Sequence, residues 1–216
     1  MTSSNASPAH GTLWIVSAPS GGGKTSLTRA LLPRLAAVGV HAQISVSHTT
    51  RAPRAGEQEG VHYHFIDEAQ FVERIEAQAF LEHAHVFGRR YGTARAETAA
   101  LLAAGRDVIL DIDWQGARQV RAALPAARSI FILPPSQLEL ERRLRGRGTD
   151  ADSVIAERMA QAKAEMSHYA EYDYLVVNND FDSAVQQLMA LFMAPRLALA
   201  PQQARYAGLI GELLEN

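Results

Sequence analysis

The sequence predicts an α/β fold: a mainly parallel sheet flanked by helices, with further structure inserted into it. Three observations point there. Short apolar runs without alternation recur at "TLWIVSA", "DVIL", "ARSIFIL" and "YLVV", the pattern of strands buried on both faces. Segments with leucines at helical spacing separate those runs. Residues 45–95 break the rhythm with a loop-rich stretch, which reads as a subdomain inserted between the first and second core strands.

Each element follows from local chemistry. Residues 12–18 predict the first strand. The segment 24–38, "KTSLTRALLPRLAAV", carries Leu27, Leu31, Leu32 and Leu35 at helical spacing. Pro33 is expected to kink that helix or shorten its regular part, and Gly39 to end it. Residues 40–47 return to strand character, and a polar loop with Pro53, Gly56 and Gly60 fills 48–60. "VHYHFID" alternates, which places Val61, Tyr63 and Phe65 on one face. An amphipathic helix over 68–80 and a strand and turn through "LEHAHVFGRRYG" complete the insertion, and a further helix follows over 94–104. Residues 107–116 read as a second buried strand with acids at its carboxyl end, and 127–135 as a third. The basic segment "LELERRLRGRGTD" leads to a long helix over 152–169, a last strand over 172–180 and a closing helix, "FDSAVQQLMALF".

Composition narrows the function classes. The chain has 216 residues and a formal net charge of -2, so no global field draws it to nucleic acid or membrane. Any anion site must come from local clustering of Lys and Arg. With no cysteine, disulfides and thiolate metal sites are excluded. No apolar run reaches membrane-spanning length, and the first ten residues read as a short mobile tail without signal-peptide character. The expected location is the cytoplasm. Oligomeric state is not legible.

"SAPSGGGKTSL" is the most informative stretch. Residues 18–25, A-P-S-G-G-G-K-T, follow the P-loop pattern with Ala18 in place of its first glycine. Glycines let successive backbone N–H groups turn inward, and the helix that follows adds its positive end. Lys24 can then reach phosphate oxygens, and the Thr25 hydroxyl can ligate Mg²⁺. Strand, loop, Lys-Thr and helix arrive in the order a nucleotide triphosphate site needs. Asp111, at the end of a buried strand, suits a carboxylate near that Mg²⁺, and Asp113 shares its face by the strand period of 2. The stretch "SVSHTTRAPRAGEQEGVHY" reads as either a second anion site or a solvated basic loop: Arg51 and Arg54 sit close together in a stiffened loop, and Tyr63 could add a donor.

At this point the chain resembles the guanylate kinases, close to the bacterial type, from about Gly11 to its C-terminus. The resemblance rests on "SAPSGGGKTSL", "SVSHTTRAPRAGEQEGVHYHF", "FLEHAHVFGRRYGT", "DVILDIDWQGA", "RSIFILPPS", "RLRGRGTD" and "MSHYAEYDYLVVN". It implies a P-loop nucleoside monophosphate kinase fold. The implied core covers 11–44, 96–135 and 169–216, the GMP-binding subdomain 45–95 and the lid 136–168. By the same resemblance, Ala18, Pro19, Ser20, Gly21, Gly22, Gly23, Lys24, Thr25 and Ser26 cradle ATP, with Arg143 and Asn178 beside it. Arg51, Arg54, Tyr63 and Tyr91 clamp the GMP phosphate, while Ser47, Glu82, Thr93 and Asp113 recognise guanine. A carboxylate can accept from guanine N1–H and its 2-amino group, and hydroxyls can donate to O6.

The lid implied by the resemblance contributes Arg143, Arg147 and Arg158, with Gly146 and Gly148 as pivots. Lys24, Arg51, Arg147 and Arg158 would then carry the phosphoryl transfer, with Mg²⁺ held at Thr25 and Asp111. Arg142 and Arg145 read as a solvated face paired with Glu139 and Glu141. The expected reaction is GMP or dGMP plus ATP to GDP or dGDP plus ADP, with no nucleic-acid or membrane partner. The rival readings are a P-loop kinase for another monophosphate and a non-catalytic guanylate-kinase-like binding module. A switch GTPase is a weaker third, since no N-K-x-D sequence occurs.

Overall fold

The computed structural model describes residues 10–86, 88–146 and 152–215. β1 (Leu13–Ser17) leads through the glycine loop into α1 (Lys24–Ala37), and β2 (Ala42–Ile44) follows. The inserted stretch supplies β3 (His48–Thr49), β4 (His64–Phe65), α2 (Glu68–Glu76), β5 (Phe80–Val86), β6 (Arg89–Ala94) and α3 (Arg95–Ala103). The chain continues through β7 (Asp107–Asp111), α4 (Trp114–Ala123), β8 (Arg128–Leu133), α5 (Gln137–Arg145) and α6 (Asp152–Met166). After β9 (Tyr174–Val177) and α7 (Phe181–Met193) it closes with α8 (Leu199–Arg205) and α9 (Ala207–Leu214).

Two sheets result. The first has the order β2-β7-β1-β8-β9, and every pairing in it is parallel. Helices cover both faces, which is why its strands read as unbroken apolar runs. Trp14, Val16, Leu31, Ile109, Ile130 and Phe192 pack on one side; Leu13, Ile15, Leu110 and Val120 pack on the other. Trp14 is fully buried and stacks on Phe192 with ring centroids 4.2 Å apart. β1, β7 and β8 end together, so the loops that leave them meet at one edge, where ligands bind in sheets of this kind.

The second sheet has the order β4-β3-β6-β5, with β5 and β6 an antiparallel hairpin. It docks on the first unit through α4. The Gln119 side chain accepts from the His83 backbone N–H (3.1 Å) and donates to the His83 carbonyl (2.8 Å).

Several element bounds differ from the sequence expectation for local reasons. α1 runs through Pro33 to Ala37, because Pro33 sits on an exposed face where water can replace the missing donor. The single strand expected over 40–47 divides: β2 stays in the first sheet, and the chain crosses to pair His48 and Thr49 with Gly92 and Tyr91. The common face expected for Val61, Tyr63 and Phe65 does not form. Val61 N–H and His62 N–H both turn back to the Gln58 carbonyl, and Val61 is 62% exposed. α2 ends at Glu76, ahead of Gln78 in the left-handed region at φ 53°. β7 stops at Asp111, and Asp113 becomes the N-cap of α4, so a shared strand face is not what relates the two acids. α6 ends at Met166 rather than Tyr169, and α8 and α9 extend the fold past the expected closing helix. Among the described residues, no helix is long and apolar enough to cross a membrane.

Candidate active site

A cleft of about 350 Å³ opens at the carboxyl edge of the parallel sheet. The glycine loop lines it with Ala18, Pro19, Ser20, Gly21, Gly23, Lys24, Thr25 and Ser26. The second sheet and its loops contribute Ser47, Tyr63, Glu82 and Tyr91, and the segment after β7 contributes Asp111, Ile112 and Asp113.

The loop is shaped by backbone rather than by side chains. Gly21 and Gly23 take φ values of 85° and 94°, which a residue with a Cβ adopts only with strain. Gly23 is the N-cap of α1, no side chain caps that helix, and no acid occupies its first turn. A bare helix start of this kind favours an anion. Asn178 braces the loop from behind, donating from Nδ2 to the Gly22 carbonyl at 2.9 Å. It is buried, and a Cβ on Gly23 would stand 2.3 Å from that amide nitrogen. Arg143 completes the brace: Nη2 donates to the Asn178 carbonyl (3.0 Å) and Nε to Glu139 (2.8 Å). Lys24 forms an ion pair with Asp111.

The opposite wall works through side chains. Glu82 is 3% exposed; its Oε1 accepts the Thr93 hydroxyl proton at 2.6 Å. Burial pushes its carboxyl up to about 7, against the pull of the Thr93 hydrogen bond, and the Asp113 charge adds to the rise. Thr93 is fully buried and its proton goes to Glu82, so it orients that carboxylate. Asp113 accepts the Gly116 N–H at Oδ1 (2.9 Å) and the Gln115 amide at Oδ2 (3.2 Å). Arg51 lies over the Tyr63 ring at 5.3 Å and donates to Glu57 at 2.8 Å. That hydrogen bond, with one from the Arg54 N–H, holds the Glu57 carboxyl down to about 2. The Tyr63 and Tyr91 rings meet edge to face at 6.0 Å.

The residues singled out from sequence thus fall into three sets. The loop residues, Ser47, Tyr63, Glu82, Tyr91, Asp111 and Asp113 share the cleft. Gly22, Thr93, Arg143 and Asn178 stand behind it, each bonded to a residue that lines it or to one another. Arg51 is held beside Tyr63, and Arg54 is exposed. Arg158 lies half-buried on α6, and Arg147 lies outside the described residues. Arg142 and Arg145 pair with Glu139 and Glu141 as expected, and Arg145 also reaches Asp152.

Sequence reading missed two acids. Glu57 occupies the Arg51 fork, six residues along the same loop. Glu165 on α6 lines the cleft and accepts the Ser20 N–H at 3.1 Å, and burial raises its pKa. Its spacing of seven from Arg158, two helical turns, was the available signal. Near the end of α6, His168 stacks on Trp114 at 3.9 Å, with the Arg118 guanidinium 4.7 Å from the indole.

Comparison with known proteins shows the family. The family model described as "Guanylate kinase" matches residues 10–194. The guanylate kinase of Salmonella choleraesuis (strain SC-B67) is 60% identical over 208 residues, 96% of this chain and all of that one. The guanylate kinase of Escherichia coli (strain K12) is 59% identical over the same shares. Among solved structures, the guanylate kinase of Anaplasma phagocytophilum superposes with a TM-score of 0.72 at 33% identity, covering 88% of this chain and 89% of that one.

Proposed function

The chain belongs to the guanylate kinase family, and from that premise we propose that it moves the γ-phosphoryl group of ATP onto the phosphate of GMP, giving ADP and GDP, with dGMP as a second acceptor. One observation supports the reading: a glycine loop of P-loop pattern and a buried carboxylate, Glu82, line the same cleft. A cleft built that way brings a triphosphate and a purine together.

In this reading the loop 18–26 holds the ATP phosphates through backbone N–H groups, and Lys24 neutralises oxygens at the transferred group. Asn178 and Arg143 keep the loop in shape from behind. The stretch 45–95 is the GMP-binding subdomain and 136–168 the lid. Arg51, Arg54, Tyr63 and Tyr91 receive the acceptor phosphate. Arg51 leaves Glu57 for a phosphate of the same geometry. Glu82, ordered by Thr93, accepts from guanine N1–H and the 2-amino group, with Asp113 and Ser47 beside it. Arg147 and Arg158 bring positive charge to the moving phosphoryl group. A phosphate oxygen of GMP is already an anionic nucleophile, so no general base is assigned.

Thr25 and Asp111 offer a hydroxyl and a carboxylate to the same cleft, an oxygen donor set that suits Mg²⁺. When bound there, the ion supplies charge neutralisation on the β- and γ-phosphates. In this reading the protein works in the cytoplasm, in purine nucleotide metabolism.

Coupled steady-state kinetics with GMP, dGMP, AMP, UMP and CMP test the reading. GMP and dGMP should turn over, and AMP should trail by several orders of magnitude, because its base leaves the buried polar groups unpaired. Comparable rates with AMP or UMP would overturn the guanine assignment. Calorimetric failure to bind ATP with Mg²⁺ would favour a binding module over a kinase.

A further inference from the structure

Gly116 is the third residue of α4, and its φ is not in the left-handed region. Backbone freedom therefore gives no reason for glycine there, and within a helix glycine is a much poorer former than alanine. What the missing side chain leaves room for is a carboxylate. A Cβ at this position would stand 2.5 Å from Glu82 Oε2, 3.1 Å from Glu82 Cδ and 3.3 Å from Ile112 Cδ1. The first of these is well inside van der Waals contact.

The surroundings decide what would yield. One turn further along α4, Gln119 grips the backbone of His83 from both its N–H and its carbonyl, which fixes β5 against the helix. On its other oxygen, Glu82 accepts the Thr93 hydroxyl at 2.6 Å. The carboxylate is thus wedged between a hydroxyl and the bare Cα of Gly116. An added methyl group would press on the free end of a side chain, while the backbone on either side stays clamped. The carboxylate is the part that moves.

We infer that Gly116 is a specificity-determining residue: by withholding a side chain it sets where the Glu82 carboxylate stands, and so how well guanine is told from a base that lacks its 2-amino group. The inference rests on the assignment of Glu82 as the guanine reader. Gly116 touches no substrate itself; it acts through Glu82. Its own N–H bonds Asp113 at 2.9 Å, and that bond survives in an alanine variant.

The experiment uses the full chain with Gly116→Ala, Glu82→Gln, Glu82→Asp and the double variant Gly116→Ala/Glu82→Asp. Acceptors are GMP and IMP, which keeps N1–H and lacks the 2-amino group. Gly116→Ala should raise KM for GMP by about tenfold or more while KM for ATP stays within about twofold. The preference for GMP over IMP should fall, and the melting temperature should hold or rise, as alanine favours the helix. In the double variant the shorter acid relieves the contact, so the combined loss should be smaller than the product of the single losses. Three results would overturn the inference: an unchanged KM for GMP in Gly116→Ala, parallel loss of ATP and GMP with a lowered melting temperature, or multiplicative losses in the double variant. Failure is separable from that of the underlying reading. If Glu82→Gln weakens GMP while Gly116→Ala does not, only the inference falls. If Glu82→Gln also leaves GMP untouched, the base-reading assignment falls with it.

Discussion

The two walls of the cleft are built on opposite principles. The loop wall is a backbone surface: two left-handed glycines and a helix start present N–H groups, and an Asn178–Arg143 brace holds them. The subdomain wall is a side-chain surface whose working groups already have protein partners, Glu82 with Thr93 and Arg51 with Glu57. Backbone donors carry no ionisable proton and have little freedom to rearrange. Side-chain groups titrate, compete and can be retuned by one substitution. Discrimination between acceptors is therefore expected to reside on the subdomain wall, and raw phosphoryl-transfer power on the loop wall.

The sharpest way to break that division is at Lys24, the one charged side chain of the loop itself. Lys24→Ala should lower kcat by about 10³-fold or more, the scale of losing a charge stabiliser at a transition state, while KM for GMP moves only a few-fold. A large rise in KM for GMP would mean that the two walls do not divide the labour. Glu82→Gln should do the reverse. KM for GMP should rise by about 100-fold, with KM for ATP unchanged, because an amide presents a donor to guanine donors. Loss of ATP affinity in this variant would contradict the comparison.

Acidification should separate the walls next. The Glu82 carboxyl is raised to about 7, so below that pH it gains a proton and, under the proposed assignment, would stop accepting from guanine. KM for GMP, divided by its value in Glu82→Gln to cancel titration of GMP itself, should rise by roughly tenfold for each unit below pH 7. KM for ATP should not follow. The stability sign is fixed as well. A carboxyl with a raised native pKa contributes stability below its unfolded value, and loses that contribution as pH rises through about 7. The melting temperature of the parent relative to Glu82→Gln should therefore fall between pH 5 and pH 8. A flat difference would refute the shift. The smallest expected effect is at the brace. Asn178→Ala orphans the buried Gly22 carbonyl, so it should cost about 1–2 kcal/mol of stability and raise KM for ATP more than KM for GMP. Equal effects on both nucleotides would blur the division.

The same division explains what could be read from sequence. The loop wall was legible from one stretch, because its chemistry is backbone geometry and glycines followed by Lys-Thr encode it locally. The parallel sheet was legible too, since burial on both faces leaves continuous apolar runs such as "LWIVS". The subdomain wall was not. Glu82 on its own looks like an acid on a surface strand, and only family resemblance gave it a role; part of its burial comes from Gly116 on α4, distant in sequence. Glu57 and Glu165 escaped because a lone acid near an arginine has many ordinary explanations. Short strands such as β3 and β4 escaped because two-residue pairings leave no period to detect. Asp113 lines the cleft, but not for the reason its sequence position suggested. The strand period placed it beside Asp111, whereas its position is set by capping α4.

The chain's two tryptophans divide as the two walls do. Trp14 is sealed in the core against Phe192. Trp114 opens α4 beside Asp113 and stacks flat on His168, just past the end of α6. A displacement of His168 relative to α4 opens or closes that stack and so changes the surroundings of the indole. The protein therefore carries its own optical gauge, with one lamp in the core and one at the contact between α4 and the segment after α6.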